Sequence, residues 1–482
     1  MSSDHARGPG GIRRSYPARM VAGILIFILL IGGLGGVTLL KLRASDTATG
    51  GSPTEAETLG RLVDVALEQG ELVLACPPGI IDPATAQPRE SEPQLWETAG
   101  ITAEPLQGGG SALKVPAQDL QSDSYAAATL SAEPQGDLAS FILESCAIPS
   151  RDVVLSAGAT EIGDDTVLVL SNPGIKSVEV QVQVMTAIGP ALDQPATITV
   201  AAGSTVSVLP AVWASGESRI AVRVQADGMG VASWLQTSRL DGELPLGLSR
   251  VPGVVPATES VLVGLDTQSA KTLRVANAGT EPGSIEITAY GEDGPVILGG
   301  TEDLEVEAMG VFDVDLAGLP AGTRALKVTS NVPIVSSVLE QSDGGVFAAS
   351  PDLNVGIRNL LSSADSLDSA MFPTQSALGA LTEKLGLVNI RGELVLANVG
   401  SQTVIVTLGE SEIEVPAEST QSVDLSKIGS ETAASLTSSS PIFAALRVTV
   451  EAPAGNLTSA MDLRQDVANT VNRQVDVFPS HG

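Results

Sequence analysis

The predicted fold class is all-β: about four tandem β-sandwich (Ig-like) units behind a single N-terminal transmembrane helix. Three observations predict it. Short apolar runs with period-two alternation recur through most of the chain, and Gly, Pro and Asn bound them, as expected of strands joined by turns. The same run returns at intervals of about a hundred residues, as LVLAC at 72–76, LVLSNPG at 168–174, LRVANAG at 273–279 and LVLANVG at 394–400. Such self-similarity marks a repeat architecture. Finally, residues 20–40 carry no charge and only one polar side chain, Thr38.

In chain order, 1–19 is read as a cytoplasmic tail and 20–40 as the membrane helix. At 1.5 Å per helical residue that run spans roughly 30 Å, the thickness of a hydrocarbon core. Arg7, Arg13, Arg14 and Arg19 precede it, whereas only Lys41 and Arg43 follow closely, so the N-terminus is placed in the cytoplasm. A cleaved signal peptide would have a shorter apolar region, roughly 7–15 residues. The longer run and the KLR after it favour an uncleaved anchor. Gly32 and Gly36 form a G-x-x-x-G, a spacing that lets two helices approach and admits a homodimer through that face.

Residues 41–57 read as a flexible stalk, rich in Ser, Thr, Gly and Pro. Four β units follow at 58–160, 161–265, 266–385 and 386–482, the third with an insertion near 360–385 whose Ser, Ala and Leu content suggests a helical turn. Each unit holds several short strands in about a hundred residues, the density of a β-sandwich. A closed β-propeller-like ring is the alternative architecture for the same repeats.

Charge and chemistry narrow the function classes. The chain carries a net charge of −30. Beyond residue 43 it holds 20 basic against 55 acidic residues, a balance that disfavours nucleic acid and anionic membrane surfaces. Both histidines, His5 and His481, lie in the tails, which removes the usual triads, histidine metal sites and most acid–base dyads. No P-loop, G-x-S-x-G, C-x-x-C or calcium-loop pattern occurs. No catalytic, metal or cofactor-binding residue is therefore assigned, and no cofactor is expected.

Cys76 and Cys146 are the only cysteines, and neither has a basic neighbour. In an oxidising compartment they are expected to form one structural disulfide. Asp313 and Asp315 form an Asp-x-Asp that does not recur in the other repeats, and they read as solvated carboxylates on one strand face. Asn456-Leu457-Thr458 fits a glycosylation sequon. Trp213 and Trp234 sit in strand-like runs, where core packing is the default. Leu168, Leu170, Leu273, Val275, Leu394 and Leu396 are expected to face inward. Asn172, Asn277 and Asn398 should act locally, at a strand's end, and matter less than those core positions.

Residues 145–160 (SCAIPSRDVVLSAGAT), 166–174 (TVLVLSNPG), 272–280 (TLRVANAGT) and the V-x-S-x-x-P-I-V of 328–335 together resemble a family of actinobacterial membrane-anchored secreted proteins, domain of unknown function 5719. The resemblance covers nearly all the outer part. It implies location and architecture and brings no catalytic residue with it.

The expected function is non-enzymatic: a membrane-anchored, single-pass extracellular protein acting as a cell-envelope scaffold or interaction module. Its expected partners are cell-envelope proteins or glycans, with the membrane held through residues 20–40. The alternative is an envelope-glycan-processing enzyme, or its accessory subunit, working with two carboxylates.

Overall fold

The computed structural model describes residues 72–89, 93–115, 125–301, 304–347, 350–429 and 431–465, with the short strands Arg61–Val63 and Val475–Val477. The chain divides into two compact units, Met1–Leu62 with Asp476–Gly482, and Val63–Val475. The second holds nearly all the described strands. The run at 20–40, with Gly32 and Gly36, and both histidines lie outside the described residues. Among the described residues no helix is long and apolar enough to cross a membrane.

The fold is nearly all β, as predicted, and one pairing order recurs three times. In residues 152–252, Asp164–Asn172 lies between Ser204–Val208 and Ala232–Asp241, and Ala232–Asp241 also pairs with Leu244–Pro252. A second sheet sets Ala221–Ala226 between Asp152–Leu155 and Val178–Thr186. Residues 257–362 and 367–462 repeat this order, with Ala270–Asn277 and Val388–Asn398 as the strands equivalent to Asp164–Asn172. The strand Asp152–Leu155 thus pairs with the elements that follow it, as do Ala257–Val263 and Leu367–Pro373. Each begins a module.

In the two later modules a single long strand serves both sheets. Ala325–Phe347 pairs along its first half with Ala257–Val263 and Gly283–Gly291, and along its second half with Ala270–Asn277 and Ser350–Ser362. The sheets therefore join into a barrel-like whole. Crossing from one sheet to the other needs a residue that leaves the ladder, and Pro333 and Pro441 supply it, since proline has no amide to donate. The earlier module has Gly230 there, at φ +86°. A Cβ at Gly230 would come within 2.2 Å of the Ser150 carbonyl oxygen, so only glycine fits.

Each module has its own core. Leu168 and Leu170, Leu273 and Val275, and Leu394 and Leu396 are all fully buried, in three different clusters. Opposite them stand the alternating runs Val180, Val182 and Val184, then Ile285 and Ile287, then Val404 and Val406, with Glu179, Gln181, Glu286 and Ile405 on the outer face.

Between 360 and 385 the structure has the end of Ser350–Ser362, the strand Leu367–Pro373 and one α-helix, Gln375–Lys384. The Thr374 hydroxyl caps that helix by accepting from the Ala377 amide. Ala377, Leu378 and Leu381 bury its inner face in the last module's core.

The first segment, 72–147, is built differently. Leu72–Cys76 pairs with Ser111–Val115, while Gln94–Glu97, Ala127–Glu133 and Ser140–Ser145 form a separate small sheet. The apolar side chains of that sheet, among them Trp96, Leu130 and Leu143, join the core of the last module. Cys76 and Cys146 are disulfide-bonded.

The four parts close on one another. Ser140–Ser145 packs against Leu244–Pro252, which packs against Ser350–Ser362, then Gly455–Asp462, which returns to Ser140–Ser145. Small apolar clusters seal the remaining junctions. One is built on Val169 and Trp234 with Ala75 and Ala147, one on Val154 and Ala221 with Ala276 and Val335, and one on Val261 and Ala325 with Val395 and Ala445. Many of these residues are alanines, because strands from neighbouring modules approach too closely for larger side chains.

Candidate binding cavity

At the junction of the first segment with the modules at 152–252 and 367–462 lies a cavity of about 400 Å³. Its lining is mostly apolar, with Trp96, Tyr125, Met371 and Met461 inside and Ile148 and Val255 at the edge. The last two are 48% and 63% exposed. Trp96 is held on its short strand by an indole N–H donated to the Thr432 carbonyl, 3.0 Å away. Ile148 and Val255 sit in the connections that lead into Asp152–Leu155 and Ala257–Val263, so ladder pairing at 152–155 fixes both.

The polar side of the cavity holds Asp365, Asp462 and Arg464. Arg464 Nε stands 3.7 Å from Asp462 Oδ2. Burial pushes the Asp462 carboxyl above the usual carboxylate range, Arg464 opposing and Asp365 adding to the shift. Deeper in, toward the four packed strands, Glu144 Oε2 lies 3.5 Å from Arg250 Nε, with side chains only 8% and 0% exposed. Glu144 Oε1 has no hydrogen-bond partner. Burial raises the Glu144 carboxyl too, outweighing Arg250 and Arg464, and the Asp462 charge acts in the same direction. Arg250 is anchored by donating to the Pro78 carbonyl at 2.9 Å and to that of Gly79 at 3.4 Å.

These residues were not singled out from the sequence. The signal was present in each case as a lone charge inside an apolar strand: Glu144 in SFILES, Arg250 in LGLSRVP, Asp462 in LTSAMD. A charge placed there is buried once the strand is buried on both faces.

The residues that were singled out have other places. The disulfide half Cys146 lines the cavity. Asp313 is a correction: it takes a bidentate fork from Arg274, Nε to Oδ1 at 2.8 Å and Nη2 to Oδ2 at 2.9 Å. It therefore works as a structural ion pair, because Arg274 stands directly opposite it in the strand register. Asp315 is exposed, and its Oδ1 accepts from the Ala317 amide. Asn456 is exposed beside the hairpin turn of Gly455–Asp462. Trp234 is fully buried and Trp213 packs at the edge of a core.

Asn172, Asn277 and Asn398 do more than close their own turns. In each, Oδ1 accepts from the amide of the Gly two residues on, at 2.8–3.0 Å. Nδ2 donates to the carbonyl four residues on and also to the end of the strand across the module, at Val200, Val306 or Val415. Each side chain is a buried clasp between distant segments.

Among the described residues no group of three His, Cys, Asp or Glu side chains is placed to hold a metal ion. The family of unknown function DUF5719 matches residues 101–381. That is more than half of the chain, and the chain belongs to this family. No curated protein and no solved structure matches it.

Proposed function

We propose that this member of the DUF5719 family is a non-catalytic, membrane-anchored extracellular scaffold whose cavity receives a partner protein of the cell envelope. In this reading the run at 20–40 is the single-pass anchor, residues 41–57 are the stalk, and the first segment with the three β modules that follow it is carried outside the membrane. The observation that carries it is the apolar cavity with Ile148 and Val255 exposed at its edge. Apolar side chains gathered at a concave site suit an apolar side chain of a partner better than the hydroxyls of a glycan. The acidic exterior and the disulfide fit an outward location.

The experiment is photo-crosslinking in native membranes with the reactive amino acid placed at position 255. A discrete adduct that disappears when Ile148→Asp is combined with it supports the reading. Labelling no stronger than at the exposed position 241 overturns it. Topology is checked separately: protease added to wall-stripped cells should digest everything beyond about residue 44, and a protected body sinks the anchor assignment.

One observation favours a second reading, an envelope-glycan-processing enzyme or its accessory subunit. Asp462, with its raised carboxyl, shares the cavity with the exposed Asp365, the contrast on which two-carboxylate hydrolysis rests. Hydrolysis of isolated envelope glycan by the full chain, abolished by Asp462→Asn, would establish this reading over the first.

A further inference from the structure

Counting the first segment as the first of the four parts, the second (the module at 152–252) and the third (the module at 257–362) enclose a smaller pocket of about 200 Å³ in which three arginines converge, Arg239, Arg274 and Arg358. In a chain of net charge −30 this is an unusual gathering. Two of the three are neutralised: Arg274 by its fork with Asp313, and Arg239 by Asp164, Nη1 to Oδ2 at 2.9 Å. Arg274 is further used up by donating its Nη1 to the carbonyls of Gly158 and Ile220.

Arg358 is different. It is 8% exposed, its Nη1 donates to the Thr237 hydroxyl at 3.0 Å, and its Nε has no partner among the described residues. No carboxylate lies within ion-pair distance of it among the described residues. The contrast with Arg447 is direct, since that buried guanidinium meets both Glu340 oxygens, at 3.1 and 2.9 Å, and the Gly264 carbonyl. A buried guanidinium with one neutral acceptor is a strongly unfavourable arrangement unless an anion completes it. Burial lowers Arg358 to about 10, and the charges of Arg239 and Arg274 act in the same direction against Asp164.

We propose that this pocket binds a phosphate group, held by the Arg358 guanidinium from the third module and by Arg239 from the second. The volume admits inorganic phosphate or a small phosphomonoester and excludes a large one. Phosphate is preferred over sulfate because Asp164 also lines the pocket. Only one of its oxygens is engaged by Arg239, so the other accepts a hydrogen bond from the P–OH of hydrogenphosphate, a donor sulfate lacks at neutral pH. The Ser218 and Thr272 hydroxyls on the same lining donate or accept as the ligand requires. Because the pocket is shared by two modules, a bound phosphate ties them together.

The test is thermal unfolding of the full chain in detergent at pH 7, with phosphate, sulfate or chloride at matched ionic strength. A ligand that binds only the folded state raises Tm with its concentration. Phosphate should raise Tm in a saturable way, sulfate less and chloride not at all. Glycerol 3-phosphate separates the two sources: a response equal to that of inorganic phosphate assigns the monoester group, and its loss assigns the free ion. Arg358→Met should abolish the phosphate response. Should that variant fail to fold, Arg239→Gln at the pocket edge decides, with half-saturation expected about tenfold higher, as for loss of one charge-assisted hydrogen bond. Asp164→Asn should bring the sulfate response up to that of phosphate. Equal shifts with phosphate and chloride, or an undiminished phosphate response in Arg358→Met or Arg239→Gln, would overturn the site. Equal shifts with phosphate and sulfate in the unaltered chain would overturn the role of Asp164.

Discussion

The first segment and the three modules after it share nearly the same strand and secure it in opposite ways. LVLAC ends on Cys76 where LVLSN, LRVAN and LVLAN end on Asn172, Asn277 and Asn398. Three of these end residues stand opposite the first residue of the neighbouring strand, Cys76 opposite Ser111, Asn172 opposite Ser204 and Asn398 opposite Ser419, and the Asn277 backbone amide donates to the Gly310 carbonyl just before the equivalent strand. In the modules the Asn amide clasps the chain by hydrogen bonds. In the first segment a covalent bond to Cys146 does so. The difference follows from the supply of core: each module buries its own leucines and valines, whereas the small sheet of the first segment gives its apolar face to the last module. A segment without a sufficient core of its own is the one that needs a covalent staple.

The sharpest way to break this comparison is with core truncations on either side of it. Leu168→Ala should cost about 2–5 kcal/mol, the range for a buried leucine. Leu130→Ala, although it lies in the first segment, should lose a similar amount and should expose amides of Val388–Asn398, since both belong to one cluster. Denaturant unfolding with hydrogen exchange reads both. Unchanged exchange at 388–398 in Leu130→Ala would separate the first segment from the last module.

Next in size is the staple. Cys76→Ser with Cys146→Ser opens a loop of 70 residues, which the chain-entropy account values at about 4 kcal/mol. Protection at 72–115 should fall first.

The clasps come third. Asn277→Ala removes the side-chain donor of the Glu281, Val306 and Glu307 carbonyls; of these residues only Val306 is buried, and the Glu307 carbonyl keeps the Gly310 amide. Buried polar groups so orphaned cost about 1–3 kcal/mol each where water cannot reach them. A loss of about 1–3 kcal/mol, below that of Leu168→Ala and measured by the same unfolding experiment, is expected. The Asn positions then stay below the core positions, as the sequence reading expects, but their effect reaches the strand across the module rather than staying local.

The smallest effect is the pH dependence. Glu144 and Asp462 are raised by burial, so the folded chain holds their protons more tightly than the unfolded one. Their contribution is fully present below the ordinary carboxylate range and declines as pH rises toward the raised values. Tm should therefore be higher at pH 5.5 than at pH 7.5. Asp462→Asn should flatten that slope, and an unchanged slope would remove Asp462 as its source.

Several of these features were legible in the chain itself. The repeats, the inward leucines and valines and the pairing of the two cysteines follow from local patterns, because alternation along a strand records which face meets the core. LVLSN and LVLAN carried one more signal than alternation. Val169 and Val395 are buried along with their leucine neighbours, and a continuous apolar run of that kind marks a strand covered on both faces. It was the trace, in sequence, of modules packed side by side.

What the sequence by itself determined is therefore the β class, the repeat and the position of each core residue, all set by interactions between residues near in the chain or alike in pattern. The tertiary structure alone decided which strands close on which, that the first segment lends its core to the last module, and that Arg358 meets Thr237 rather than a carboxylate. It also decided that Asp313 faces Arg274 and that Asp462 shares a cavity with Ile148. Those outcomes depend on contacts between segments distant in the chain, 39 residues apart for Asp313 and Arg274 and 121 for Arg358 and Thr237, and on which side of a strand a neighbouring module comes to rest. No local pattern encodes that choice, because a charge or an alanine on an outer face reads the same whether water or another sheet lies against it.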